Sequence, residues 1–152
     1  MKKATTRDSA DQTLKSMLDE HGWAVVGVFP TAEDAGVPFS YTVGLTDKGL
    51  PELAVYGLDP VNGGTILNAV AQRMIEHGEV RGGERIDGEL AHGLQLAVID
   101  MGDTAELSAV RRFYGVVLAA RQIVWPDPQG RMPWEGWSCP DEAQPLNNDP
   151  PF

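Results

Sequence analysis

The apolar positions change period several times along the chain, and each change predicts an element. Ala10, Leu14, Met17 and Leu18 fall on one helical face. Ser9-Ala10-Asp11-Gln12 fits a capping box at its start, and Gly22 ends it. Trp23 to Phe29 then forms a short β-branched run stopped by Pro30, which predicts a strand. In Phe39 to Thr46 the apolar residues Phe39, Tyr41, Val43 and Leu45 alternate with Ser40, Thr42, Gly44 and Thr46. This is the period of a strand. Asp47-Lys48-Gly49 reads as a turn and Glu52 to Leu58 as a third strand, so the two strands predict an antiparallel hairpin.

Asp59-Pro60 is an N-cap followed by proline at the first helical position. Ile66, Leu67, Val70, Met74 and Ile75 give the stripe of the helix that follows, closed by Gly78. Arg85–Leu90 and Leu94–Met101 predict two more strands, and Asp103-Thr104-Ala105-Glu106 a helix entry. Beyond Gly115 the pattern fits helix or strand; the favoured reading ends the helix near Tyr114 and makes Val116–Trp125 a strand. Three strands before a helix, with more strands later, predict an α+β domain. Its sheet is read as mostly antiparallel, or as a small, partly closed barrel, with two to three flanking helices. Residues 1–8 read as a flexible arm and 9–137 as one globular domain. Residues 138–152, rich in Pro, Asn, Asp and Gln, read as a disordered tail.

Charge and composition narrow the function. A formal net charge of −10 argues against nucleic acid, whose phosphates need Lys and Arg, and against anionic membranes. No apolar run reaches the roughly 20 residues of a membrane span, and Met1-Lys2-Lys3 followed by polar residues does not read as a secretory signal. The single Cys139 allows no intrachain disulfide, which suits a reducing cytoplasm. Each of the three histidines precedes a glycine, at a helix end or turn, and no metal-ligand spacing is present, so no metal site is predicted. Val61-Asn62-Gly63-Gly64-Thr65 reads as a helix-entry turn, since it lacks the Lys-Ser/Thr ending of a phosphate loop.

Two segments carry the candidate chemistry. In the first, Ser40, Thr42 and Thr46 either form an ordinary solvent-facing strand side or line a pocket, with Gly44 letting a ligand approach the backbone; Tyr41 is a further candidate on the same strand, and Glu52 either serves as a base or pairs with Arg131. In the second, Asp127-Pro128-Gln129-Gly130 is a type I turn, and three of the four tryptophans lie between 125 and 137. That segment closes the domain with aromatic anchors, or displays Asp127 and Arg131 beside Trp134 as a binding rim. A plain Asp127–Arg131 pair across the turn is an equal reading. No catalytic residue is assigned.

Gly22-Trp23, Phe39-Ser40-Tyr41-Thr42-Val43-Gly44-Leu45-Thr46, Pro51-Glu52-Leu53 and Gly57-Leu58, with the later Val124-Trp125-Pro126-Asp127, Gly130-Arg131 and Pro133-Trp134, resemble the bacterial family catalogued as domain of unknown function 4262. The resemblance implies no activity. It implies occurrence in bacteria and sometimes their phages, so a phage protein acting on a host target is the weakest of three readings. The first is a non-catalytic protein-binding or regulatory module. The second is a small-molecule barrel, for flavin or nucleotide, because the strand order resembles flavin-binding split barrels. Arg73, Arg111, Arg112 and Arg131 are its candidate phosphate ligands. No cofactor is assigned outside that reading. An exposed edge strand would support a homodimer, but the pattern does not identify the edge.

Overall fold

The structure, a computed structural model, describes residues 6–31 and 36–150. Helix α1 spans Thr6–His21 and leads into β1, Ala24–Val28. Strands β2, Phe39–Val43, and β3, Glu52–Tyr56, form the predicted antiparallel hairpin, with Phe39 opposite Tyr56 and Tyr41 opposite Ala54. Helix α2 spans Pro60–His77. After it come β4, Arg85–Ile86, and β5, Leu96–Asp100; then α3, Ser108–Tyr114, and β6, Ala120–Val124. The helix before Gly115 and the strand after it follow the favoured reading.

The six strands form one open sheet in the order β1-β2-β3-β6-β5-β4. All neighbours are antiparallel except β3 and β6, which run parallel with Glu52 opposite Ala120. The protein is therefore α+β with a mixed sheet, and the partly closed barrel is corrected: β1 and β4 are free ends that do not meet. The capping box is corrected too, because α1 starts at Thr6 and Ser9 lies inside it. Residues 1–5 of the expected arm lie outside the described residues.

Side-chain alternation divides the core. Leu53, Val55, Leu96, Val98 and Ile123 face α2, where Leu67, Val70, Ala71 and Met74 are buried against them. Burying each of the larger side chains contributes roughly 1.5–3 kcal/mol. On the other face, Phe39, Tyr41, Val43, Ala54 and Tyr56 meet Leu14 of α1 and Val110 of α3. Phe39 stacks on both tyrosines, at centroid distances of 6.0 and 5.1 Å.

The β5–β6 part of that second face is covered by the C-terminal segment. Met132, Trp134 and Leu146 pack on Ala97, Ile99 and Val124. Residues 138–150, expected to lack order, instead lie against the domain as a strap. Buried Gln144 accepts from the Trp125 amide and donates to the Trp125 carbonyl, both at 2.9 Å. Buried Gln122 reaches back to the Pro145 carbonyl and the Asn147 amide, each at 2.8 Å. The strap passes so close to Gly57 that a Cβ there would stand 2.0 Å from the Ala143 carbonyl oxygen. The polar composition that argued for disorder supplies the hydrogen bonds that hold this segment.

Candidate functional site

The Thr42–Thr46–Glu52 constellation forms, but as a closed structural knot. Gly44, at φ 120°, turns the chain out of β2 into a 3-10 turn at Leu45–Lys48 that folds back over the start of β3. The Glu52 carboxylate lies under this turn with no exposed surface. Its Oε1 accepts from the Thr42 hydroxyl at 2.8 Å and the Leu45 amide at 3.2 Å. Its Oε2 accepts from the amides of Gly44 at 3.2 Å and Thr46 at 2.9 Å, and from the Thr46 hydroxyl at 2.6 Å. Thr42 in turn accepts from the Leu53 amide at 2.9 Å.

A buried carboxylate without such partners would be strongly unfavourable, and several donors to the ionised form remove that penalty. Glu52 thus ties the hairpin loop to the sheet. Nor does Gly44 admit a ligand. A Cβ there would meet Leu18 Cδ2 at 2.6 Å and the backbone of Gly22 and Trp23 at 2.7–2.8 Å, so the space belongs to the end of α1. Tyr41 sits apart from Thr42 on the other sheet face, where its hydroxyl accepts from the Ala109 amide in the first turn of α3 at 3.1 Å.

Asp127 opens the expected turn, with the Gly130 amide donating to its carbonyl at 2.9 Å. Its side chain is buried and accepts from the amides of Gln129 and Arg131 at 2.9 Å and Ser138 at 2.8 Å. Burial pushes its pKa up, but the amides of Arg131, Ser138 and Gln129 together outweigh this and hold it below the ordinary carboxylate range. The Arg131 guanidinium pairs with it at 3.5 Å and is otherwise half exposed. Trp134 is a half-buried anchor on the β5–β6 face, not a rim residue.

The four candidate phosphate-binding arginines are not gathered. Arg73 contacts the Asp87 carbonyl and Glu89. Arg111 bonds the Thr104 and Ala105 carbonyls, and Arg112 pairs with Asp11 at 3.0 Å. Among the described residues no three His, Cys, Asp or Glu side chains gather so as to hold a metal ion, and no helix is long and apolar enough to cross a membrane.

A different place has the form of a binding site. An open cleft of about 600 Å³ lies between the first turns of α2 and the loop after β6. Leu58, Ile66, Leu90, Leu94, Trp125 and Pro126 supply its apolar walls. Asn62 and Thr65, exposed on α2, stand on one side, and Asp127 and Cys139 reach the other.

Trp125 is fixed in this wall. Its indole N–H donates to the Tyr56 carbonyl at 2.7 Å, its backbone is clasped by Gln144, and its ring tilts against Trp137 at 5.2 Å. The α2 wall starts in register because Asp59 caps the helix, accepting from Val61 and Asn62 at 3.0 Å. The Asn62 amide, with smaller help from its side chain and Val61, holds Asp59 below the usual carboxylate range. Of the candidate site residues Tyr41, Thr42, Thr46, Glu52, Asp127, Arg131 and Trp134, only Asp127 lines the cleft. Trp125 and Leu58 lay inside motifs that were noticed; Leu90 and Leu94 lay in runs read as strands and gave no signal.

The family comparison agrees with the motif positions. A family model described as Domain of unknown function (DUF4262) matches residues 17–138. No curated protein and no solved structure matches the chain significantly. That match spans the hairpin, α2, the cleft walls and the 127–131 turn, and the chain belongs to the DUF4262 family.

Proposed function

We propose that this protein is a non-catalytic binding module and that the cleft beside Trp125 receives an apolar side chain of a protein partner. The observation that carries the reading is a preformed, open apolar cleft whose aromatic wall is already fixed by hydrogen bonds. Walls ordered before binding lose little entropy when a partner arrives, and a buried aromatic in a pocket is the usual anchor of an interface. The net charge of −10 favours partner segments with basic flanks. The polar groups weighed for chemistry, Glu52, Thr42, Thr46 and Asp127, are occupied in holding loops.

The test is paired capture with wild-type protein and Thr65→Arg, which sets a long cation on the cleft wall from an exposed helical position. A partner retained by wild type and lost by the variant, at equal melting temperature, supports the reading. Equal retention by both proteins refutes it.

The volume favours a second reading. A cleft of about 600 Å³ falls in the range of roughly 300–1,000 Å³ of small-molecule sites. Native mass spectrometry of protein purified without denaturation separates the two, since a small ligand adds discrete mass that Thr65→Arg removes.

A further inference from the structure

The two ends of the sheet are finished differently. β4 is two residues long and carries Arg85, which reaches Glu135 at 3.4 Å. Short, charged edges of this kind discourage pairing. β1 is five residues, Ala-Val-Val-Gly-Val, with no charge and no proline. Every second residue of an edge strand points its N–H and C=O away from the sheet. Among the described residues no backbone group bonds β1 on its outer side.

Apolar side chains surround this edge. Phe29 follows the strand with 66% of its surface exposed, and Met17 on α1 is 43% exposed. A cleft of about 310 Å³ opens beside the strand, lined by Leu14, Met17, Val25 and Val26 and, at its rim, by the paired Asp11 and Arg112.

We propose that β1 is a dimerisation edge, on which the β1 strand of a second copy pairs antiparallel across a twofold axis and joins two six-stranded sheets into one. One register of the strand favours a second copy over a foreign strand. Antiparallel pairing with its own copy is isologous, and one register brings the aromatic flanks of β1 together. Centred on Val26, it sets Val28 opposite Ala24 of the partner subunit. It also sets exposed Phe29 opposite Trp23 of the partner subunit, an aromatic cross-strand pair that occurs twice per dimer.

Sedimentation velocity of the full chain across micromolar to hundred-micromolar concentrations tests this. Wild type is expected to show a concentration-dependent dimer. Phe29→Asp, altered at an exposed site, should melt like wild type yet dimerise roughly tenfold or more weakly, since the change enters twice. A second variant covers the case where Phe29→Asp fails to fold. Opposed residues of an antiparallel pair have Cα atoms about 4.5–5.5 Å apart, within disulfide reach. Val26→Cys in a Cys139→Ser background should therefore cross-link to itself on mild oxidation, while the Cys139→Ser parent should not. Any of three results overturns the proposal: wild type monomeric at every concentration, including a monomer that takes up a strand of another protein; a folded Phe29→Asp with an undiminished dimer; or no Val26→Cys cross-link.

Discussion

In a Glu52→Gln variant, the five donors that converge on two carboxylate oxygens would meet an amide with a single acceptor atom. The less costly orientation places the new NH₂ at Oε1 and keeps Oε2 for Gly44 and Thr46. Thr42 can then turn its hydroxyl and accept from the amide, but the buried Leu45 N–H faces another N–H. One unpaired buried donor costs about 1–3 kcal/mol, and the remaining bonds change from charge-assisted to neutral. The total is about 2–4 kcal/mol. At roughly 2–4 °C per kcal/mol for a domain of this size, the melting temperature should fall by roughly 4–16 °C. Thermal and urea unfolding of both proteins measure this. Thr42→Val combined with Glu52→Gln should then be less destabilising than the sum of the two changes, because they share one network. A Glu52→Gln protein that melts within about 2 °C of wild type, or above it, would refute the structural role. It would return Glu52 to the list of reactive groups.

Three further outcomes follow from buried polar groups. Asp127 has a depressed folded-state pKa, so its contribution is present above the unfolded value near 3.9 and is lost as pH falls through the folded value; Asp127→Asn should flatten the acid limb of a stability–pH curve below about pH 4. Gln144→Ala leaves the Trp125 N–H and C=O without their partner and should cost roughly 2–4 kcal/mol in urea unfolding, whereas a disordered tail would make it neutral. Burial first, and then the nearby Glu106 charge, raise the Tyr56 pKa. Its contribution is therefore complete below the unfolded value of about 10 and declines as pH rises beyond it; absorbance titration near 295 nm should show a late-ionising component, to which Tyr114 also contributes, that loses one tyrosine's amplitude in Tyr56→Phe.

Local signals were legible where one short segment decides the outcome. Asp59-Pro60 caps its helix as read, the 39–46 alternation gives a hairpin strand, and Asp127 to Gly130 forms its turn. The parallel β3–β6 pair was not legible, because Glu52 and Ala120 are joined only by a crossover through α2, β4, β5 and α3. The hydroxyl row of Thr42 and Thr46 was visible, but nothing in its spacing says that Glu52 lies beneath Gly44 and occupies both hydroxyls. For the strap, composition measures apolar driving force, and the strap depends instead on Gln122, Gln144 and Asn147 meeting particular backbone groups. The cleft was hidden for a related reason. Leu58, Ile66, Leu90, Leu94 and Trp125 come from separate parts of the chain, and each alone reads as ordinary core.

Site-specific photo-crosslinking tests the central claim most directly. A photoreactive residue at Leu94, on the cleft wall, is compared in cells with one at exposed Val116, which does not line the cleft. A discrete protein adduct at position 94, absent at 116 and suppressed by Thr65→Arg, is the predicted result. Adducts of equal yield at both positions, or an adduct at 94 that survives Thr65→Arg, would contradict the assignment of the cleft as the working surface.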